Sequence, residues 1–442
     1  MGELDLDKYI KNLERRILVK DIGKVTDVVG NLIEGYLPGA KLGSVCEIAA
    51  VGRPPIITEV IGFQDKKVLM MPLTELSSIG FGSRIELVRT TASIKVGPHI
   101  LGRVINGLGE PIDNKRPMPV SDEVQIYRDS SNPMDRVPIR EPLDLGIKAI
   151  NSFLTVGKGQ RVGVMAGSGV GKSVLMGMIA RSTQSDVNVI ALIGERGREV
   201  REFVEYALGE EGLKKSVVVA VTSDQSPLIR MRGAFIATAI AEYFSAQGKD
   251  VLLMMDSLTR FAMAQREIGL NAGEPVTTKG YTPSVFSLMP KLLERAGQFE
   301  KSGSITGLYT VLVEGDDMDD PIADSVRSIV DGHIVLDRSL AQKGHFPAID
   351  ILQSASRVMP NIIGDEHKAM AQVARAQLAI YKENEDLIRI GAYQPGQSEE
   401  LDRAIAFYKP LERFLKQEVD ETWGLGQSVN ELKSAFLKNE EI

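Results

Sequence analysis

The segment that most constrains this chain is a glycine-rich turn between a strand-like apolar run, residues 161–165, and a helix-like run, residues 174–180. The turn consists of Ala166, Gly167, Ser168, Gly169, Val170, Gly171, Lys172 and Ser173. Glycines let backbone N–H groups face phosphate oxygens, and the N-terminus of the following helix adds partial positive charge. Lys172 can reach the β- and γ-phosphates, and Ser173 can hold Mg²⁺. The turn therefore predicts a nucleoside-triphosphate site, although Ala166 replaces the first glycine of the usual pattern.

The composition is that of an ordinary globular protein with room for two or three domains. The chain has 442 residues, of which 25% are charged, and a net charge of −7. This acidic balance weighs against a dedicated nucleic-acid binder, which usually carries a basic domain. The single cysteine, Cys46, excludes an intrachain disulfide and fits a reducing cytosol. The N-terminus lacks the layout of a signal peptide, and there is no apolar run of about 18 residues. We therefore expect a cytoplasmic protein that reaches a membrane only through a partner or a surface helix.

The first two segments of the chain predict a helix and a small barrel. Residues 1–20 carry one apolar stripe at helical spacing, formed by Leu6, Ile10, Leu13 and Ile17. Such a helix either packs on its own domain or forms an arm that docks a partner. Residues 21–92 contain short β-like runs at 43–50, 55–62, 67–71 and 84–89. Their regular spacing predicts a β-barrel, and its lack of clustered aromatic residues favours an assembly role over ligand binding.

The remainder of the chain predicts an α/β core followed by helices. From about residue 145 strand-like and helix-like runs alternate, with candidate strands at 161–165, 187–193, 216–221, 251–255, 305–313 and 333–336. These runs are almost wholly apolar, which indicates a parallel sheet buried on both faces. Ligands of such sheets bind at the carboxyl ends of the strands. Residues 366–442 are predicted to be mostly helical.

Two carboxylates follow apolar strands and are candidates for the chemistry of nucleotide hydrolysis. Asp256 ends the run 251–256 and is a candidate for orienting Mg²⁺, through water. The alternative is that Asp256 caps the helix that follows. Glu195 follows another buried run and is a candidate for orienting the attacking water and accepting its proton. The alternative is that Glu195 is a salt-bridged capping residue.

Two arginines lie close to these carboxylates in sequence. Arg196 and Arg260 either stabilise phosphate charge or pair with carboxylates, and the sequence leaves both alternatives open. The chain has no Asn-Lys-x-Asp motif of the kind that reads guanine, so ATP is preferred over GTP as the nucleotide.

Three long segments resemble a known family. Residues 347–357, ending in Arg357, look like the signature of rotary ATPase subunits, and residues 281–297 and 313–336 look like those of the type III secretion ATPases. Within that family the chain is most similar to the flagellar protein export ATPases. The resemblance extends from the barrel onward and implies a RecA-like P-loop core between an N-terminal β-barrel and a helical C-terminal domain. It divides the chain into residues 1–20, 21–92, 93–365 and 366–442.

The resemblance also implies the roles of the site residues. Lys172 and Ser173 hold phosphate and Mg²⁺, Asp256 ends the second nucleotide motif, and Glu195 is the catalytic carboxylate, with Arg196 beside it. Arg357 is the arginine finger that reaches into the site of a neighbouring subunit. Phe346 and Tyr393 fall where aromatic residues of the family stack on adenine, with ordinary packing as the alternative for both.

The implied function is that of the ATP-hydrolysing motor of a bacterial type III export apparatus, with ATP and Mg²⁺ as its cofactors. The implied partners are five copies of the chain in a homohexamer, a cytoplasmic stator or regulator bound through the N-terminal helix, a central stalk protein, the export gate and chaperone–substrate complexes. The implied location is the cytoplasmic face of the inner membrane, reached through partners. Residues 390–393 and the tail at 428–438 favour a flagellar over an injectisome system.

Three further functions compete with export. A catalytic subunit of a rotary ATP synthase is disfavoured by the export-type segments at 281–297 and 313–336, and Glu195 disfavours a non-catalytic synthase subunit. A ring translocase on RNA is disfavoured by the acidic balance and by the aromatic-poor barrel. A binding module without enzyme activity is disfavoured because the full set of Lys172, Glu195, Asp256 and Arg357 is present. No nucleic-acid partner is therefore expected.

Overall fold

The structure is a computed structural model that describes residues 20–440, except residues 51, 75, 77, 130, 131, 314, 316 and 318. Nearly all of the predicted N-terminal helix lies outside these residues. The chain forms two compact units. One holds the residues up to Ser93 together with Ile268–Glu274, and the other holds Ile94–Glu267 and Pro275–Ile442.

The first unit contains the predicted barrel, closed by six antiparallel strands among its described residues. Its strand order is β1-β2-β5-β4-β3-β6. Alternate side chains fill the interior, where Ile33, Cys46 and Met70 are fully buried. Burial raises the pKa of the Cys46 thiol to about 12, so this cysteine is an inert core residue. The strands are β1 Ile22–Val29, β2 Leu32–Tyr36, β3 Val45–Ile48, β4 Ile56–Gln64, β5 Lys67–Pro72 and β6 Arg84–Arg89.

The second unit is built on a sheet that has nine strands among its described residues. Along the main path the order is β19-β18-β12-β17-β15-β13-β14-β8, and β16 pairs with β17. All pairings on the main path are parallel except that of β19 with β18. Strand β15 is buried at every residue, as expected for a sheet covered on both faces. The strands of this sheet are β8 Arg103–Ile105, β12 Arg161–Ala166, β13 Val187–Glu195, β14 Ser216–Thr222, β15 Val251–Asp256, β16 Gly297–Gln298, β17 Ser304–Leu312, β18 Gly332–Leu336 and β19 Ile349–Ser356.

Short strands and helices complete the second unit, although Ser93 and the last residues of the helix Leu258–Asn271, from Ile268, belong to the first unit. The short strands are β7 Ser93–Val96, β9 Asp122–Gln125, β10 Pro142–Leu143 and β11 Val156–Gly157. The helices are α1 Lys148–Phe153, α2 Lys172–Ser182, α3 Gly197–Glu202, α4 Gly209–Lys214, α5 Pro227–Ser245, α6 Leu258–Asn271, α7 Pro283–Leu293, α8 Pro321–Ile329, α9 Arg338–Gln342, α10 Met359–Ile362, α11 Asp365–Glu383, α12 Glu385–Arg389, α13 Glu399–Leu415 and α14 Leu425–Glu440. A π-helical segment, Phe203–Leu208, joins α3 to α4.

The C-terminal helices share one hydrophobic core with the sheet. Phe414 of α13 packs edge-on against Phe153 of α1, with 6.3 Å between ring centroids. Tyr381 of α11 and Tyr408 of α13 stack with their rings 3.7 Å apart. The predicted fold class, a barrel followed by a parallel-sheet core and a helical region, is therefore confirmed.

The register of the parallel strands brings the predicted site residues to one edge. Asp256, the last residue of β15, pairs with Leu192 of β13, and Glu195 ends the same strand β13. Strand β12 lies beyond β17 and ends at Ala166, where the glycine-rich turn begins. Carboxyl ends of parallel strands open on the same side, so this edge is where a ligand is expected.

Candidate active site

The turn between β12 and α2 has the backbone that a phosphate loop requires. Gly169 and Gly171 adopt positive φ angles of 77° and 91°, which residues with a Cβ rarely adopt. Gly171 is the N-cap of α2, so the free N–H groups and the dipole of this 11-residue helix face the turn. Ser173, in the first turn of α2, is exposed. The arrangement can bind an anionic phosphate chain.

Lys172 contacts the carboxylate of Asp256 across the carboxyl edge of the sheet. Lys172 Nζ lies 2.5 Å from Asp256 Oδ1, and Thr310 Oγ1 donates to the same oxygen at 2.7 Å. Asp256 is only 3% exposed, and these two donors compensate its desolvated charge. The helix-capping alternative for Asp256 is not observed, because Ser257 Oγ accepts the hydrogen bond from Arg260 N at the start of α6.

Thr310 is a site residue that the sequence analysis missed. It lies near the end of β17, whose preceding residue Tyr309 pairs with Met255 of β15. Thr310 is therefore level with Asp256 on the neighbouring strand. The available signal was a threonine close to the carboxyl end of a largely apolar run.

Glu195 is a half-buried carboxyl group close to a second acid, Glu199. Burial, followed by the negative charge of Asp256 and a hydrogen bond with Glu199, raises the pKa of Glu195 to about 7. The hydrogen bond with Glu195 lowers the pKa of Glu199. Glu199 accepts a hydrogen bond from Arg196 N at 3.4 Å in a capping box, so the capping role belongs to Glu199 and not to Glu195.

The two arginines near these acids have different surroundings. The side chain of Arg196 is 82% exposed and pairs with Glu199 Oε1 at 3.1 Å. Arg260 packs its aliphatic carbons against Gly194, where a Cβ would lie 2.9 Å from Arg260 Cβ. Among the described residues, the buried Arg260 Nε has no hydrogen-bond partner. Arg196 thus pairs with a carboxylate in this state, and Arg260 retains an unused donor.

Of the two aromatic residues expected to contact adenine, Phe346 borders the phosphate loop. A Cβ on Gly171 would lie 3.5 Å from Phe346 Cδ1, and the phenyl side chain is half exposed. Gln417 N donates to Phe346 O at 3.0 Å, which fixes the backbone that carries the ring. The adenine of a nucleotide whose phosphates are held by the loop could therefore stack on Phe346.

Tyr393 lies in the loop between α12 and α13, and its hydroxyl bonds are local. The hydroxyl oxygen lies 2.8 Å from Asp402 Oδ1 and accepts from Ser398 N at 3.3 Å. These contacts attach the ring to the start of α13. A role of Tyr393 in adenine binding stays a prediction.

Arg357 lies near the amino-terminal ends of the parallel strands, whereas the phosphate loop lies at their carboxyl ends. Strand β19 runs antiparallel to β18, and its last residue, Ser356, pairs with Gly332, which in turn pairs with Val162 near the start of β12. At ~3.3 Å per residue, four residues separate this level from Ala166, or about 13 Å. Arg357 is exposed, and its guanidinium makes only long bonds, of 3.4 Å to Val330 O and 3.5 Å to Arg327 O. The structure thus does not bring Arg357 to Lys172, Glu195 and Asp256 of its own chain.

Two properties concern metals and membranes. Among the described residues, no group of three or more His, Cys, Asp or Glu side chains could by itself hold a metal ion. Among the helices that the structure describes, none has the length and apolar character that crossing a bilayer requires.

Comparison with protein families identifies both parts of the second unit. Residues 146–356 match the model of the ATP synthase alpha/beta family, nucleotide-binding domain. Residues 363–434 match the model of the type III secretion EscN ATPase C-terminal domain.

Individual relatives match over nearly the whole chain. The chain is 55% identical over 424 residues to the flagellum-specific ATP synthase of Bacillus subtilis, covering 96% of both chains. It is 48% identical over 400 residues to the type 3 secretion system ATPase of Xanthomonas euvesicatoria, covering 90% of both. Among solved structures, the assembled ATPase EscN of the enteropathogenic Escherichia coli type III secretion system matches with a TM-score of 0.88 and 45% identity, over 93% of this chain and 99% of that one. EscN in complex with its central stalk EscO matches with a TM-score of 0.86.

Proposed function

Because the chain belongs to the ATP synthase alpha/beta family, in its branch of flagellum-specific ATP synthases and type III secretion ATPases, we propose that it is the ATPase motor of flagellar protein export. Its activity is hydrolysis of ATP to ADP and phosphate at the P-loop. The observation that carries the proposal is the meeting of Lys172, Asp256 and Glu195 at one strand edge. The higher identity to the flagellar relative favours flagellar export over the alternative, an injectisome ATPase. A catalytic synthase subunit is less well supported.

Each residue has a distinct task in the hydrolysis. The phosphate loop binds the triphosphate, and Lys172 exchanges part of its contact with Asp256 for the β- and γ-phosphates. Glu195 accepts a proton from the attacking water, whose oxygen bonds to the γ-phosphorus while the bond to the bridging oxygen breaks. A carboxyl group with a pKa of about 7 suits this task, because a base works best when its pKa lies near the operating pH.

The residues present fit Mg²⁺ as a second cofactor. Mg²⁺ prefers oxygen ligands and retains several waters, so a hydroxyl and one carboxylate suffice beside the phosphates. The exposed hydroxyl of Ser173 would bind the ion, and Asp256 would orient one of its waters. Among the described residues, the hydrogen bonds from Lys172 and Thr310 to the Asp256 carboxylate both go to Oδ1, which leaves Oδ2 for this contact. When bound, the ion would neutralise charge that develops on the phosphates.

The position of Arg357 supports a site that is shared between subunits. A guanidinium at the far edge of its own sheet cannot serve its own phosphate loop, but it can serve that of a neighbour in a ring with head-to-tail interfaces. We propose a homohexamer in which Arg357 stabilises the transition-state charge of the adjacent site and Arg196 assists there. Phe346 and Tyr393 are proposed to contact adenine.

The remaining partners are proposed by analogy with other members of the family. A central stalk, by analogy with the EscN–EscO complex, would bind near the loop between α12 and α13, where Leu387 and Ile390 are 49% and 76% exposed. The N-terminal helix would bind a cytoplasmic regulator, and the ring would deliver chaperone–substrate complexes to the export gate. The protein would act in the cytoplasm, at the inner membrane face, through these partners and without nucleic acid.

The experiment is genetic complementation of a deletion strain. The wild-type gene should restore motility and secretion of flagellar proteins, whereas Glu195→Gln should not, because it retains the fold but loses the base. Glu205→Gln is the matched control, since this exposed carboxylate pairs with Arg201 at 2.7 Å and with no other cation among the described residues. Loss of secretion of virulence effectors with normal motility in the deletion strain would instead favour the injectisome alternative.

A further inference from the structure

The backbone around Arg357 is held by the turn that precedes β18. Arg357 N donates to Asp331 O at 2.9 Å, and the preceding residue, Ser356, pairs with Gly332. The guanidinium of Arg357, by contrast, has no carboxylate within ion-pair distance among the described residues, and its bonds to two carbonyl oxygens are long. The direction of this side chain is therefore set by the backbone that carries it.

The carboxylate of Asp331 is in turn bound by the first residue of β12. Arg161 donates three hydrogen bonds to it, from N at 3.0 Å and from Nε and Nη2 at 3.1 Å. The Arg161 side chain is only 14% exposed, and its Nη1 also pairs with Glu294. A guanidinium that binds both carboxylate oxygens fixes the geometry of the turn as well as its charge.

Gln160 attaches the last residue of β19 to the same point. It is fully buried, and its Nε2 donates to Ser356 Oγ at 3.1 Å and to Asp331 O at 3.4 Å. Its Oε1 accepts from Gly157 N at 2.8 Å, so the amide orientation is determined. Ser356 Oγ donates to Thr155 O at 3.0 Å. The residues on both sides of the Arg357 anchor are thus connected to the entry of β12.

We propose that Asp331, held by Arg161 and Gln160, is a positioning residue for Arg357, and that β12 rigidly joins this anchor to the phosphate loop of the same subunit. Strand β12 runs from Arg161 to Ala166 between β18 and β17. The arginine that acts in the neighbour's site is consequently anchored, through Asp331, to the strand that leads into the phosphate loop of its own subunit. The proposal rests on the shared site described above.

The first test is the kinetic effect of Asp331→Asn. The amide keeps the size of the side chain but presents one acceptor oxygen in place of two, so Arg161 loses its bidentate partner. We expect kcat to fall by about 10- to 100-fold, as small misplacements of catalytic groups do, while KM for ATP stays within about twofold. A fall in nucleotide affinity instead, or an unchanged kcat, would overturn the proposal.

Asp250→Asn is the matched control. Asp250 also lies at the amino-terminal edge of the sheet, its side chain is 29% exposed against 28% for Asp331, and it pairs with Lys158 at 2.8 Å. It has no hydrogen bond to the Arg357 segment among the described residues. Its variant should keep kcat within about twofold of wild type; an equal loss in both variants would reduce Asp331 to a general stabilising role.

Mixing with Lys172→Ala subunits separates the failure of this proposal from that of the shared site. Asp331→Asn leaves its own phosphate loop intact, so a Lys172→Ala neighbour with a correctly held Arg357 should restore turnover, as it should for Arg357→Ala. If Arg357→Ala is not restored, the shared site is wrong. If Arg357→Ala is restored and Asp331→Asn is not, the positioning role is wrong. Should Asp331→Asn fail to fold, Arg161→Lys, which keeps the charge and the backbone N–H but loses the fork, is judged by the same outcomes.

Discussion

At the scale of single residues, Glu195 and Asp256 are carboxylates on neighbouring strands with different surroundings. Asp256 is almost fully buried and paired with Lys172 and Thr310, which suits a fixed negative charge that orients a cation. Glu195 is half buried, and its raised pKa suits a group that gains and loses a proton. When only one of two neighbouring carboxyl groups has a raised pKa, the acid–base role is assigned to that group.

Glu195→Gln separates binding from hydrolysis. Glutamine keeps the size of the side chain and its hydrogen-bonding capacity but cannot accept the proton, so ATP should still bind while turnover falls by roughly 10²–10⁴-fold. The variant should also favour the assembled ring, with ATP held at its interfaces. Single-turnover kinetics and equilibrium nucleotide binding measure the two effects. Lost affinity would give Glu195 a structural role.

The pH profile tests the same residue without removing it. Because the ionised carboxylate is the base, kcat/KM should be full above the pKa and should fall as pH drops through about 7. Glu199 contributes to raising this pKa, so Glu199→Gln should shift the acid limb to lower pH. An acid limb that does not move would separate Glu195 from the group that titrates.

Lys172→Ala should abolish hydrolysis while the protein stays folded, although the substitution should lower the stability of the fold. The side chain of Lys172 is only 11% exposed and pairs with Asp256. Its removal leaves a buried carboxylate with Thr310 as its remaining donor, so stability should fall by up to ~3–5 kcal/mol. ATP turnover and thermal unfolding by circular dichroism measure both. Lys214→Ala, at an exposed pair with Glu211, should change neither.

At the scale of elements, the predicted strands of the second unit are almost wholly apolar, whereas β1 of the barrel and β19 of the sheet are less apolar and were missed. Strands β12, β13, β14, β15, β17 and β18 were predicted, because a strand buried on both faces consists of a continuous apolar run. Strand β1 was missed since it alternates buried with exposed residues and includes Lys24 and Asp27, and β19 since its second half, at Leu352 and Gln353, is exposed.

The same distinction holds for the site. Residues contiguous in sequence, from Ala166 to Ser173, could be assigned from their motif. Thr310 and the Asp331 anchor could not, because each contact joins segments that are distant in sequence: Thr310 meets Asp256 across 54 residues and Asp331 meets Arg161 across 170. Only the register of β17 and β18 against their neighbours reveals such contacts.

The N-terminal arm gives a prediction at this scale. Deletion of residues 2–18 should leave the barrel intact, because β1 begins at Ile22. The truncated chain should keep the basal ATPase activity of the full-length monomer, which is low because no neighbour supplies Arg357, and should lose affinity for a cytoplasmic regulator. Size-exclusion chromatography, turnover and a pull-down with the regulator measure this. Aggregation, or loss of the monomer's activity, would show that the helix belongs to the folded core.

At the scale of the whole molecule, the proposed shared site means that one chain alone holds only part of the catalytic residues. Its phosphate loop, Glu195 and Asp256 lie at one edge of the sheet, and Arg357 lies at the other. In the proposed ring, head-to-tail interfaces would bring these two ends of successive subunits together and complete every site. Assembly would then switch on hydrolysis. This fits the anchoring of Arg357, through Asp331, to the strand that leads into the phosphate loop.

The most direct test of this account is the ATPase activity of Arg357→Ala and Lys172→Ala subunits mixed in varied ratios. Each variant alone should hydrolyse ATP poorly. Arg357→Ala should still bind ATP, because its own phosphate loop is intact, but it lacks the trans arginine, which supplies ~10³–10⁵ in rate. In equal mixture about a quarter of the interfaces would pair an intact Lys172 with an intact Arg357, so activity should rise to a maximum near that ratio. Mixtures that demonstrably co-assemble yet stay inactive at every ratio would contradict the shared site.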